Sequence, residues 1–438
     1  MQINAQATVA PVYTHGGAPA FRHMNKKQEL RRSVLSCLLW EDTFYERGES
    51  IADRITGLAS KVHMDDVSAL AVEARNDFHL RHVPLLLIVA MCKQGGNLVS
   101  ETIQKVIQRP DEMCELLSIY WKDGRKPISK QLKLGLAKAF TKFTAYQLAK
   151  YNRDNQIKLR DVLFLVHPKP MSALQAETWE DLVNKRLASP ETWEVALSGG
   201  ADKKESFERL IKDGKLGYLA LLRNLRNMMD AGCDKDLVSS AILERKGASK
   251  VMPFRYVAAA RACPQLEKVI DQSLLACIHN MPKLSGKTIV LVDVSGSMDK
   301  RLSDKSDMTR IDAACALASL IDGEVRVFSF SDQTIEIPHR LGMAGVDAIS
   351  NSQKHNGTYL GRSIQEINSL NHDRLIVITD EQATDVFRCP IPTAQNAYMI
   401  NVASYKNGIG YGNGWTHLDG FSESVIKYIM ESEKENQD

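Results

Sequence analysis

The chain has 438 residues, 44% hydrophobic and 25% charged, an ordinary globular composition on a chain longer than one hydrophobic core usually grows, so two domains are expected. Its net charge of +3, taken whole, argues against a polyanionic partner. The balance is uneven, however: residues 1–285 hold 42 Lys and Arg against 32 Asp and Glu, and residues 286–438 hold 14 against 21, which points to an anionic partner for the first part.

In chain order, residues 1–20 carry Gly, Pro and small residues without a periodic pattern and are expected to form a flexible arm. From Phe21 to Pro282 the pattern is helical. Segments such as SVLSCLLW, IADRITGLASKV, VPLLLIVAMCK, MCELLSIYW, LKLGLAKAFTKFTAYQLAKY and LALLRNLRNMM repeat apolar residues three and four apart, separated by short polar or Pro/Gly breaks. A long succession of helices without strands predicts stacked antiparallel pairs, a HEAT-like solenoid over residues 21–285, although no period of roughly 40 residues is visible. At Ser285-Gly286 the pattern changes. Strand patterns at KTIVLVDV, VRVFSF, RLIVIT and AYMINVA alternate with helix patterns at TRIDAACALASLI, YLGRSIQEINSL and FSESVIKYIMES, which predicts a doubly wound parallel α/β domain over residues 286–438.

The longest apolar run, Pro84 to Cys92, is shorter than the roughly 20 residues a bilayer crossing takes, and no basic segment followed by an apolar one opens the chain. A soluble, cytoplasmic protein is expected. Eight cysteines lack CxxC or zinc spacing and sit mostly in apolar stretches, so buried reduced thiols are expected.

In a doubly wound sheet, ligands gather beyond the carboxyl ends of the strands. There the first strand ends in Asp293-Val-Ser295-Gly-Ser297, a later one in Thr379-Asp380-Glu381, and Gly357-Thr358 opens a helix between them. Asp293, Ser295, Ser297, Thr358 and Asp380 form a hard-oxygen set suited to Mg²⁺, with Mn²⁺ and Ca²⁺ as alternatives, and with one position left to water or a partner carboxylate. The plainer reading is that both aspartates cap helices and the serines satisfy loop amides. The order of these residues resembles the metal-ion-dependent adhesion site of von Willebrand factor A domains.

In the first part, residues 122–169 hold twelve basic side chains against three acidic ones. On a helical projection Leu132, Leu136, Phe140 and Phe143 share one side, and Lys138 and Lys142 project from the other, toward solvent or a ligand. A solvated lysine face would be the bland explanation. The charge continues through Lys150-Tyr151-Asn152-Arg153 to His167-Pro168-Lys169, mixing cations with aromatic and amide groups, and that mixture suits RNA. The candidate RNA contacts are Lys133, Lys138, Lys142, Lys150, Arg153, Lys158, Arg160, His167 and Lys169.

The succession as a whole resembles the Ro 60 kDa autoantigen family and its bacterial relatives, in which a TROVE module precedes a von Willebrand factor A domain. The match is carried by Leu148-Ala149-Lys150-Tyr151, Arg160-Asp161-Val162-Leu163, Leu165 to Pro170, Ala220 to Leu225, Pro253-Phe254-Arg255, the DVSGSM loop, Val327 to Asp332, Gly357-Thr358 and Gly420-Phe421. Eukaryotic members are longer, and the chain is taken as a bacterial or phage-type relative. The resemblance implies a helical ring whose ends are held by the A domain, Y-like small noncoding RNAs on a basic outer face, and single-stranded ends of misfolded or damaged RNA in a central hole. It also implies an exoribonuclease tethered through the RNA. Lys150 and His167 match basic positions of the family, whereas a further family arginine aligns with Asp154, beside Arg153. A monomer without DNA specificity or membrane attachment is expected.

Two functions follow: an RNA-binding ribonucleoprotein scaffold for RNA quality control, and, from another class, a metal-dependent protein-interaction adaptor acting through the A domain. An enzyme is not expected. No nucleophile pairs with a base at a recognisable spacing, GGADKK is not a phosphate loop within a strand-helix unit, and His79-Leu-Arg-His82 lacks a nearby third ligand.

Overall fold

The computed structural model describes residues 12–13, 19–20, 25–35, 48–78, 80–152, 154–188, 202–251, 253–281, 283–302, 308–385, 389–403 and 414–420, and in the closing segment 425–426, 429–430 and 433. Of the N-terminal arm, β1 (Val12–Tyr13) pairs antiparallel with β2 (Pro19–Ala20), and the rest lies outside the described residues.

Helices α1 (Lys26–Leu35), α2 (Gly48–Ala59), α3 (Met64–Asn76), α4 (His82–Gln94), α5 (Leu98–Val106), α6 (Pro110–Tyr120), α7 (Lys130–Phe140), α8 (Ala145–Tyr151), α9 (Leu159–Val166) and α10 (Ala173–Val183) follow in turn. Helix α3 buries Val67, Leu70, Ala71 and Ala74, the spacing of one helix face, whereas α4 is buried at every position from Val83 to Met91 and forms the axis of this part. Most helices pack on the next or the next but one: α3 on α4 and α5, α4 on α6, α5 on α7, and α6 and α7 on α9. The long LKLGLAKAFTKFTAYQLAKY pattern is two helices rather than one. Thr141 ends α7, and Thr144 starts α8 through a capping box with Gln147.

A second run, α11 (Lys203–Lys212), α12 (Tyr218–Asp230), α13 (Lys235–Glu244), α14 (Phe254–Ala262) and α15 (Glu267–Ile278), stacks in the same way, α11 on α13, α12 on α14 and α13 on α15. The strands then begin with β3 (Leu284–Asp293), followed by α16 (Arg310–Ala318), β4 (Gly323–Phe330), β5 (Thr334–Ile337), α17 (Gly342–Ser350), α18 (Leu360–Asn368), β6 (Arg374–Thr379), β7 (Asn396–Asn401) and β8 (Thr416–Asp419). The sheet order is β5-β4-β3-β6-β7-β8, parallel except for the antiparallel edge strand β5. Strand β5, strand β8 and helix α17 add to the elements expected. Helix α17 buries Met343, Val346 and Ile349 against the layer formed by α15 and α16.

Alternation along β3 sends Ile289 and Leu291 to one face, covered by α18, and Val290 and Val292 to the other. That second face shares one continuous hydrophobic core with α11–α15, while helices α1–α10 enclose a separate core. The array returns to the sheet at a seam where α1 packs on β8. Phe78 is half-buried there and packs against both cores. Gly420, at φ 113°, lets the chain pass so close that a Cβ would lie 3.1 Å from the Leu35 carbonyl oxygen. The helices and the A-type domain therefore form a closed circuit. No helix among the described residues is long and apolar enough to cross a membrane, and the seven described cysteines are unpaired thiols.

Truncating Phe78 to Ala is expected to lower stability by about 1–3 kcal/mol. It should also raise amide hydrogen exchange in α1 and β8 while leaving the α14–α16 layer protected. Equal loss of protection in both regions would show that Phe78 does not act at the seam.

Candidate functional site

The central strand β3 lies between β4 and β6, so the chain leaves it to opposite sides and a crevice opens at its carboxyl end. Asp293 ends this strand, fully buried, and its carboxylate accepts hydrogen bonds from the Ser295 amide at 2.9 Å and the Thr379 hydroxyl at 2.6 Å. The Ser295 and Ser297 hydroxyl oxygens are 3.3 Å apart. Gly296 between them donates to the Asn356 carbonyl at 2.9 Å, and a Cβ there would lie 3.2 Å from the His355 carbonyl. The 356–358 segment is itself clamped. Ser331 accepts from the Asn356 amide at 2.8 Å, Asp332 accepts from the Gly357 amide at 2.9 Å, and Thr384 accepts from the Thr358 amide at 3.0 Å. The Phe330-Ser331-Asp332 run thus holds the loop that presents Thr358.

Asp380, also fully buried, accepts from the Gln382 amide at 3.2 Å and from Arg310 Nη1 at 3.3 Å. Beside it Glu381 takes φ 58° and its carboxylate pairs with His417 of β8. All five expected metal residues therefore stand at one sheet edge, and all are hard oxygen donors. This chemistry fits a Mg²⁺-type ion. Among the described residues no three His, Cys, Asp or Glu side chains gather as a metal cluster, so a cation held here would take most of its protein ligands from hydroxyls. Burial, and then the Asp380 charge, push Asp293 up to about 7.

Arg310 is the residue that sequence reasoning missed. It is 2% exposed and also donates to the Ser297 carbonyl at 3.3 Å. A cation at the first position of α16, whose other positions except Asp312 are apolar or small, opposes the helix dipole, and that misfit was the available signal.

The candidate RNA residues divide. Lys133, Lys138, His167 and Lys169 line one groove of about 510 Å³ together with Lys130, Leu134 and Met171. His167 stands at its rim because it ends α9 in the left-handed conformation, φ 48°. Leu134 and Met171, 41% and 81% exposed, add apolar surface to the groove that the charge pattern did not reveal. Lys142 is exposed but outside this groove's lining, and its ammonium donates to the Gln104 and Ile107 carbonyls at 2.6 and 2.5 Å. It satisfies carbonyls at the end of α5, and burial lowers its pKa. Lys158 is paired with Asp154, and Arg160 lies 3.7 Å from Asp161. Lys150 is exposed at the end of α8, 5.7 Å from the Tyr151 ring, over which Arg109 also stacks at 4.4 Å. Arg153 lies outside the described residues.

Helix α9 also borders a second groove, of about 810 Å³, lined among others by Trp121, Lys122, Arg125, Gln156 and Phe164. Arg125 stacks 5.1 Å over the Trp121 ring, and Phe164 is 55% exposed. The two grooves set cations and aromatic faces on either side of one helix.

The TROVE domain family matches residues 183–317, a span that runs from the end of α10 through the metal loop into α16. Telomerase protein component 1 of Mus musculus is 37% identical over 87 residues, 19% of this chain, and its Rattus norvegicus counterpart is 36% identical over 87 residues. The chain spans 3% of the length of these curated relatives. The crystal structure of Deinococcus radiodurans RO (RSR) protein superposes with a TM-score of 0.60 at 14% identity, covering 93% of this chain and 100% of that one, which shows a shared fold. The chain thus carries a TROVE domain match across its middle and shares its fold, along nearly its whole length, with a Ro protein.

Proposed function

We propose that the protein is a non-catalytic RNA-binding scaffold whose phosphate-binding surface is the groove between α7 and the end of α9. The observation that carries this reading is that Lys130, Lys133, Lys138, His167 and Lys169 line the groove without an acidic residue among its lining. The four exposed lysines among them would displace counterions from a polyanion, the main source of affinity for nucleic acid. The aromatic groove across α9 supplies faces on which unpaired bases stack, with Lys122 and Arg125 beside them. In this reading a Y-like structured RNA lies on the basic outer side, and the closed circuit admits single-stranded RNA ends at its centre. The RNA serves as the tether for a nuclease.

The A-type domain has two roles in this proposal. It holds the two ends of the helical array, and its Asp293, Ser295, Ser297, Thr358 and Asp380 hold a Mg²⁺-class ion. Such an ion would supply Lewis-acid attraction for a carboxylate of a protein partner. Thr379 and Ser295 fix the Asp293 carboxylate by hydrogen bonds, and the 331–332 segment fixes the loop that carries Thr358, so these residues would hold the ion without rearranging.

Reversing Lys133, Lys138 and Lys169 to Glu should weaken binding of a structured RNA with a single-stranded tail and cut the log-log salt slope by about 2–3. Changing Lys142 to Ala should instead lower stability by about 1–3 kcal/mol with the slope preserved. Salt titrations by fluorescence anisotropy check both, and an unchanged slope in the triple variant refutes the groove assignment. Phe164→Ala is expected to weaken binding of a single-stranded oligonucleotide by about 1–3 kcal/mol at constant slope.

For the metal, Asp293→Ala combined with Ser295→Ala should abolish Mn²⁺ binding in calorimetry and leave the RNA salt slope intact. In the unchanged protein, Mn²⁺ affinity should fall as pH drops below about 7, because a proton competes for Asp293.

A further inference from the structure

Two carboxylates at one buried sheet edge are an unfavourable arrangement unless a positive charge lies near them. Asp293 and Asp380 are both 0% exposed. The structure supplies that charge from within the chain. Arg310 ranks among the largest fully buried side chains, and its Nη1 reaches both the Asp380 carboxylate and the Ser297 carbonyl at 3.3 Å. Two of the five candidate ligand residues are therefore already engaged by one guanidinium.

Within its own helix the placement is unusual. Arg310 is the first residue of α16, next to the positive end of the helix dipole, in a helix otherwise small and apolar apart from Asp312. Asp312 does not serve it as a counter-ion, because it closes the capping box with Thr309 and pairs with Arg261 at 3.5 Å. A surface position would cost nothing; burial of a guanidinium here requires an anionic partner, and among the described residues Asp380 pairs with it.

We infer that Arg310 is a resident counter-cation of the metal centre: it neutralises Asp380 when no ion is bound, holds the empty site in shape, and weakens divalent binding by repulsion. The inference rests on the metal reading above and adds a control on it. With Arg310 present the two ionised carboxylates leave one negative charge for an incoming ion; without it they leave two. The domain that closes the ring is thereby stable with or without metal, and ion binding is weak enough to be reversible.

The test uses the full-length protein, the variants Arg310→Met and Arg310→Lys, and Mn²⁺ as probe. Calorimetric titration should show Arg310→Met binding Mn²⁺ about tenfold or more tightly than the unchanged protein, with Arg310→Lys close to unchanged. In thermal unfolding, the melting temperature of the unchanged protein should be nearly the same in EDTA and in Mn²⁺. That of Arg310→Met should fall in EDTA and recover in Mn²⁺. Equal Mn²⁺ affinity in Arg310→Met and the unchanged protein would overturn the inference, as would a large loss of stability of the unchanged protein in EDTA.

If Arg310→Met does not fold in EDTA, Arg310→Met combined with Asp380→Asn decides the matter: recovery of a folded protein supports the counter-ion role and failure to recover overturns it. If neither protein binds Mn²⁺, the metal reading fails. The same double variant in EDTA then shows whether Arg310 still acts as the counter-ion of Asp380.

Discussion

A stack of amphipathic helices has two ends, and each end presents an apolar face that the next helix would have covered. This constraint shapes the whole molecule. At one end, α14 and α15 merge with α16, α17 and the sheet into a single core. At the other, α1 meets β8, with Phe78 packed against both cores. The A-type domain is thus a shared cap for both ends of the array, and the close passage at Gly420 is the local geometry that capping requires.

The metal centre and this seam are parts of one construction. The Thr379-Asp380-Glu381 segment at the end of β6 divides its side chains among three partners: Thr379 to Asp293, Asp380 to Arg310, and Glu381 to His417. His417 lies on β8, the strand against which α1 packs. Charge at the crevice is therefore linked through buried polar contacts to the strand that closes the circuit. Every one of these contacts involves a residue removed from water, where an unsatisfied partner is costly.

The basic surface depends on a different balance. Clustered cations repel one another, and several in this stretch are engaged locally: Lys142 hydrogen-bonds helix-end carbonyls, Lys158 pairs with Asp154 and Arg160 lies beside Asp161. Those in the groove have no acidic neighbour in its lining. The folded chain thereby sorts a uniform-looking run of lysines into ones that stabilise the array and ones held toward solvent, and only the second group is available to a polyanion.

The helical character of the first part, the onset of strands near residue 285 and the order of Asp293, Ser295, Ser297, Thr358 and Asp380 were legible in the sequence, because periodicity and strand-end motifs are local patterns. Short or weakly patterned elements were not: β5, β8 and α17 acquire their form from pairing and burial against neighbours far along the chain. Helical projection put Lys138 and Lys142 on one side of a helix that in fact ends at Phe140, so their different roles were hidden until the break and the α5 carbonyls were known. Arg310 appeared only as a charged residue in an apolar helix; its partner lies 70 residues away. The sequence by itself determined which residue types the crevice and the basic stretch contain. Only the tertiary structure decided which charges neutralise one another and how the ring closes, because both depend on contacts between segments with no pattern in common.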